Sequence, residues 1–289
     1  MRAGQDRVPI IAPALRSGQR RADEIGVATL TVRDPGRKPT RRKLVAGNWK
    51  MNGSLAALDE LESIAALAIA CRQLDVAVAL PVTLIAAAKA RFPELIIGAE
   101  DVHAAERGAY TGSISAGMIK EIGAGFSLIG YSERRIHCHE SNAEVKAKGE
   151  ALLRHGLGAI LCVGETSEQR RAGEAEKVVA QQVASSLPAR TGPGWLAIAY
   201  EPVWAIGSGE MPPREEVGRT HRAIRTELRT LIGAEADAIR LLYGGSVSPA
   251  NAGGLLEVPD VDGALVGGAS LSAATFGPII EAGARARGR

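Results

Sequence analysis

From residue 43 onward, short apolar runs alternate with longer segments whose apolar positions return every three or four residues. The runs fall at 43–47, 76–80, 95–99, 127–130, 159–163, 196–200, 239–243 and 263–267. Most are Ala, Val, Leu and Ile without polar alternation, the pattern of strands buried on both faces. Between them lie helical stretches at 55–70, 143–155, 174–187, 215–232 and 273–284. The joins are short and rich in Gly, Ser and Pro, which interrupt both periods. Eight strands alternating with helices predict an α/β domain with a parallel sheet. Eight such units within 43–289 fit a single closed (β/α)8 barrel. Periodicity does not report closure, so an open doubly wound sheet is the alternative.

Composition sharpens this picture at two points. Aromatic residues make up only 3% of a chain that is 46% hydrophobic, so the core must be aliphatic. The net charge of +3 is unevenly spread: residues 1–42 hold ten Arg or Lys against four Asp or Glu, which leaves the rest mildly acidic. Residues 1–42 therefore read as a basic N-terminal extension, expected to be solvated and disordered. It lacks the apolar core and cleavage site of a secretory signal; an organelle-type targeting peptide is the alternative. An acidic body argues against nucleic acid as a partner. No run of about 18 uninterrupted apolar residues is present, which argues against a membrane span. Cys71, Cys138 and Cys162 are odd in number and widely spaced, which fits reduced thiols and a cytoplasmic location.

In such a barrel, functional groups gather at the carboxyl ends of the strands. Glu201 follows the sixth run and leads into Pro202 and an apolar stretch, Val203 to Ile206, that closes on Gly207-Ser208-Gly209. A carboxylate beside a hinged apolar lid suits a general base shielded from water; the plainer reading is a strand-end glutamate before a packed loop. Lys50 follows the first run and can neutralise a phosphate or oxyanion, or merely lie along the surface. Asn48 can donate to a carbonyl, or cap its own turn. Gly244-Gly245-Ser246 follows the seventh run and Gly267-Gly268 the eighth, and glycine loops at helix starts cradle anions. Glu133 is expected to pair with Lys50 or Arg134. Cys162 reads as a small buried hydrophobe. His137 and His139 alternate around Cys138 without further ligands nearby, so no metal is expected.

Taken together, Gly47-Asn48-Trp49-Lys50-Met51-Asn52, Gly98 to Val102, Gly108 to Gly112, Cys162 to Thr166, Ala199 to Gly209, Tyr243 to Val247 and Val266 to Ser270 resemble triosephosphate isomerase, in family order across roughly 43–280. The resemblance implies a TIM barrel, a homodimer and an aldose–ketose isomerase. It would interconvert dihydroxyacetone phosphate and D-glyceraldehyde 3-phosphate with no cofactor and no metal. Its partners would be a small phosphorylated sugar and a second copy, with no nucleic acid and no membrane. By the same resemblance Glu201 is the base, Lys50 offsets charge and Asn48 orients the substrate. Gly207, Ser246, Gly267 and Gly268 hold the phosphate, Ser132 and Glu133 support the site, and Thr111 reaches into the partner subunit.

The chain departs from the family at the electrophile. The family pairs its glutamate base with a neutral histidine and a closing loop, in the motif Gly-His-Ser-Glu-Arg-Arg. Here the motif reads Gly130-Tyr131-Ser132-Glu133-Arg134-Arg135. A neutral phenol at Tyr131 can still donate to a carbonyl or enediolate oxygen, but it reaches farther than imidazole. Glu100-Asp101 stands for the usual Gln-Asn, Ser113 for a glutamate and Glu210 for a lysine. Two alternatives follow from Tyr131: an isomerase of another small sugar phosphate, such as a tetrulose phosphate, or a catalytically weak phosphate-ligand-binding protein.

Overall fold

The computed structural model describes residues 41–206 and 211–286. Eight strands close a barrel in chain order: β1 Lys43–Asn48, β2 Leu74–Leu80, β3 Ile96–Ala99, β4 Phe126–Ile129, β5 Gly158–Val163, β6 Leu196–Tyr200, β7 Arg240–Tyr243 and β8 Gly263–Val266. All neighbours are parallel, and β1 pairs with β8 through Leu44–Gly263 to Gly47–Val266. The open sheet is thereby excluded and the predicted barrel holds. Every strand is buried along its whole length, which explains the uninterrupted apolar runs.

Alternate residues divide the core in two. Leu44, Ala46, Ala77, Ala79, Phe126, Leu128, Ile160, Cys162, Ala197, Ala199, Leu242 and Leu265 fill the barrel interior. Their neighbours in sequence, such as Val45, Val76, Val78, Leu161 and Ile198, pack outward against the helices. With so few aromatics, the interior is made of aliphatics around the rings of Phe126 and Tyr131. A Cβ on Gly98 would come within 2.3 Å of Phe126, so the bare glycine of β3 makes room for it.

Charged side chains tie the amino end of the barrel. Arg240 meets Asp75 at 2.7 Å, and Arg225 meets Asp262 at 3.0 Å, with all four largely buried. Arg41 reaches Asp262 at 2.8 Å and Arg42 reaches Asp75 at 3.1 Å. The last two residues of the predicted extension thus hold the barrel floor. Residues 1–40 lie outside the described residues, so the expectation of disorder falls there. Among the described residues, no helix is long and apolar enough to cross a membrane.

Candidate active site

The opposite rim collects the polar residues. Asn48 ends β1 and is buried, and its Oδ1 accepts the N–H of Lys50 at 3.1 Å. That bond closes a tight turn in which Lys50 takes a left-handed backbone, φ 56°. The intervening Trp49 is buried and donates its indole N–H to the Ser270 carbonyl at 3.0 Å, anchoring the turn to the loop after β8. Lys50 is thereby aimed across the rim. Its Nζ lies 2.5 Å from Glu133 Oε1 and 5.3 Å from the Tyr131 ring centroid. Glu133 takes the expected ion pair with Lys50, while Arg134 turns away to Asp101 at 2.9 Å.

Tyr131 caps the short helix Ser132–His137 at the end of β4. Arg135 braces this corner, donating to the Gly130 carbonyl at 2.7 Å, the Cys162 carbonyl at 3.3 Å and Asn142 Oδ1 at 2.7 Å. Tyr131 is only 5% exposed. Burial, then the charge of Glu201, push its phenol well above the ordinary range. It is a neutral hydroxyl at working pH, able to donate.

Glu201 follows β6 and is 1% exposed. Its backbone N–H donates to the Val163 carbonyl at 2.8 Å, and its Oε2 accepts the Ser132 N–H at 3.1 Å. Oε1 is buried and has no hydrogen bond of ordinary geometry. Two glycines make room for it. A Cβ on Gly164 would strike the Glu201 carbonyl at 1.7 Å, and one on Gly244 would meet Glu201 Cγ at 2.9 Å. Burial pushes its carboxyl up to about 7; the Ser132 N–H, the Tyr131 hydroxyl and Lys50 pull the other way. A buried carboxyl poised near neutrality, with one oxygen held by the Ser132 N–H, is equipped to take and return a proton.

Beyond Glu201, Val203–Ala205 form a short 3-10 turn. Trp204 donates its indole N–H to Glu165 Oε1 at 2.9 Å, Tyr200 donates its hydroxyl to the same oxygen at 3.1 Å, and Arg170 lies 4.4 Å over the Trp204 ring. Gly207 and Glu210 lie outside the described residues. The loops after β7 and β8 sit at the same rim. A Cβ on Gly267 would come within 3.6 Å of Lys50 Cε, Gly268 opens a short 3-10 turn, and Ser246 is half-buried after β7. A cavity of about 400 Å³ opens beside Asn48, Lys50, Glu100, Tyr131 and Glu133.

The sequence model of the family described as triosephosphate isomerase matches residues 43–283. This chain belongs to the triosephosphate isomerase family. The triosephosphate isomerase of Xanthobacter flavus is 51% identical over 244 residues, covering 84% of this chain and 98% of its relative. That of Ruegeria sp. (strain TM1040) is 48% identical over 241 residues, covering 83% and 98%. The crystal structure of triosephosphate isomerase from Bartonella henselae is 42% identical, with a TM-score of 0.79, and covers 83% of this chain and 98% of that one. The triosephosphate isomerase barrel read from the motifs is therefore correct, and it brings Asn48, Lys50, Tyr131, Ser132, Glu133 and Glu201 to one rim. Thr111 is exposed on the loop between β3 and the helix Ala116–Glu121, beside Tyr110, whose ring packs at a tilt against His103 with centroids 4.1 Å apart.

Sequence reasoning gave no role to Glu165 or Arg135. Glu165 stands two residues beyond β5, one residue farther past its strand than Glu201 stands past β6. Nothing local distinguishes it, because its partners Tyr200 and Trp204 come from the next β-unit.

Proposed function

We propose that this chain interconverts dihydroxyacetone phosphate and D-glyceraldehyde 3-phosphate through an enediolate. The observation that carries the reading is the buried Glu201 carboxyl, held near neutrality on the same rim as Lys50. Glu201 takes the proton from C1 of the ketose, and the C–H electron pair moves to the carbonyl oxygen at C2. A proton passes from the C1 hydroxyl to the oxyanion at C2, the electron pair on the C1 oxygen then forms the carbonyl at C1, and the same carboxyl returns its proton to C2. Lys50 offsets charge on the intermediate, and Asn48 with the Tyr131 hydroxyl donates to its oxygens. Ser132 fixes the base and Glu133 fixes Lys50. Gly207, Ser246, Gly267 and Gly268 hold the phosphate with backbone donors, and the apolar segment Val203 to Ile206 excludes water on closing.

The same reading makes the enzyme a homodimer in the cytoplasm, with Thr111 reaching the partner's site. The exposed Met51, Tyr110 and Met118 near that loop suit an apolar contact between copies. The isomerase domain takes in Arg41 and Arg42 with the barrel that follows, and the residues before them are an extension. The test is a steady-state assay with Glu201→Asp, which draws the carboxylate back by one methylene. Turnover should fall on the order of 10²-fold with little change in KM. A variant that keeps nearly all its activity removes Glu201 as the base.

A further inference from the structure

The rim holds one more carboxyl than the proposed reaction uses. Glu100 follows β3, lines the cavity with Asn48, Lys50 and Tyr131, and buries its Oε1 without a hydrogen-bond partner. The charges around it are unequal. The same cavity is lined by Lys50 from the β1 loop, Glu133 and Arg134 from helix Ser132–His137, Lys148 from helix Asn142–Arg154, and Asp101 and His103 from the loop of Glu100 itself. Arg134 is taken by Asp101 at 2.9 Å, and Lys148 by Asp101 at 2.6 Å and by Glu140. Lys50 is left to serve three carboxyls: Glu133 in direct contact, with Glu201 and Glu100 coupled to it through space.

A site that binds a phosphate ester as a dianion cannot carry that excess of negative charge without loss of affinity. We propose, resting on the reading of this rim as an anion site, that Glu100 is a positioning residue whose protonation leaves the Lys50 charge available to an anionic substrate. Ionised, Glu100 draws that charge back and repels the incoming anion. Burial pushes its carboxyl up to about 8, helped by Glu133 and opposed by the Lys50 backbone N–H and the Lys50 charge. Glu100 is therefore mostly neutral at pH 7. A bound dianion favours the neutral acid further, so the Glu100 contribution to affinity is level below about pH 8. Above it, affinity falls by at most about tenfold per pH unit.

Sulfate is a suitable probe, because it stays a dianion throughout the range and needs no turnover. Its binding to the full chain is measured calorimetrically from pH 6.5 to 9.5 at constant ionic strength, for wild type, Glu100→Gln, Glu100→Asp and Lys50→Met. Glu201 contributes a step near pH 7 that wild type and both Glu100 variants share. Between pH 8 and 9.5 wild type should weaken about tenfold, Glu100→Gln by less than about threefold, and Glu100→Asp should show the step again. Wild type and Glu100→Gln falling in parallel above pH 8, or wild type holding level to pH 9.5, overturns the role of Glu100 and leaves the anion site standing. Sulfate that fails to bind wild type, or binds Lys50→Met equally well, sinks the anion-site reading and the inference with it.

Discussion

Replacing Tyr131 with Phe separates chemistry from packing. The ring is buried at 5% exposure and sits 5.3 Å from Lys50 Nζ, and Phe keeps both the volume and the cation–ring contact. Only the hydroxyl leaves. Loss of one preorganised donor to a developing oxyanion costs about 10²- to 10³-fold in turnover, or about 2.7–4 kcal/mol. Lys50 and Asn48 remain to share the charge, so kcat should drop at least about 10-fold while KM changes by less than about threefold. A second effect falls on the base. The Tyr131 hydroxyl pulls the Glu201 carboxyl down from where burial alone would put it. Without that donor the carboxylate form is less favoured, so the carboxyl moves higher than about 7. The acid limb of the kcat/KM profile then shifts to higher pH. The assay follows isomerisation of D-glyceraldehyde 3-phosphate from pH 5.5 to 9 for wild type, Tyr131→Phe and Tyr131→His. A Phe variant with wild-type kcat and an unmoved acid limb refutes the phenol as donor. If the His variant then gains activity, Tyr131 only obstructs the site.

Lys50→Met removes the ammonium between Glu133 and the Tyr131 ring. Inhibition by inorganic phosphate should weaken at least about 10-fold, and an unchanged inhibition constant takes Lys50 out of the site. A chain beginning at Arg41 keeps the Arg41–Asp262 and Arg42–Asp75 pairs. It should melt and turn over as the full chain does, and a fall in Tm of more than about 5 °C shows that residues 1–40 are structural. His221 is fully buried, donates from Nδ1 to the Asp260 carbonyl at 2.9 Å, and is driven by burial down to about 4. Its folded form binds fewer protons than the unfolded chain between about pH 6.5 and 4. Stability present above pH 6.5 is therefore lost on acidification, up to about 3 kcal/mol. Urea unfolding at pH 7.5 and 4.5 should show that loss in wild type and a smaller one in His221→Gln; equal losses contradict it.

The barrel was legible because both faces of each strand are buried, which leaves an uninterrupted apolar signature. It blurred where a strand carries a charge. β2 begins at Leu74, two residues before its apolar run, because Asp75 is buried inside it and neutralised by Arg240 and Arg42. The segment at 55–70 was read as one helix, but it opens with the 3-10 turn Ala56–Asp59 before the α-helix Glu60–Ala70. At the rim, Asn48, Lys50 and Glu201 announced themselves as polar residues just beyond apolar runs. Glu165 and Glu100 have the same local signature, inside motifs from which no role for them was read. Their meaning depends on Trp204 and Lys50, which chain topology brings close and sequence distance hides.

The contact that steadies Glu201 comes from the main chain at Ser132, while the Ser132 hydroxyl is buried without a partner. The aim of the base is thus uncoupled from side-chain identity at that position. Nineteen of the twenty amino acids carry the same N–H, and only proline deletes it. Mutational drift at 132 is filtered by volume in a tight corner, not by chemistry. To misdirect the carboxylate, a mutation must move the whole first turn of the helix Ser132–His137. The sensitive positions are then Arg135 and Asn142, distant in role from any proton transfer, which hold that turn in place.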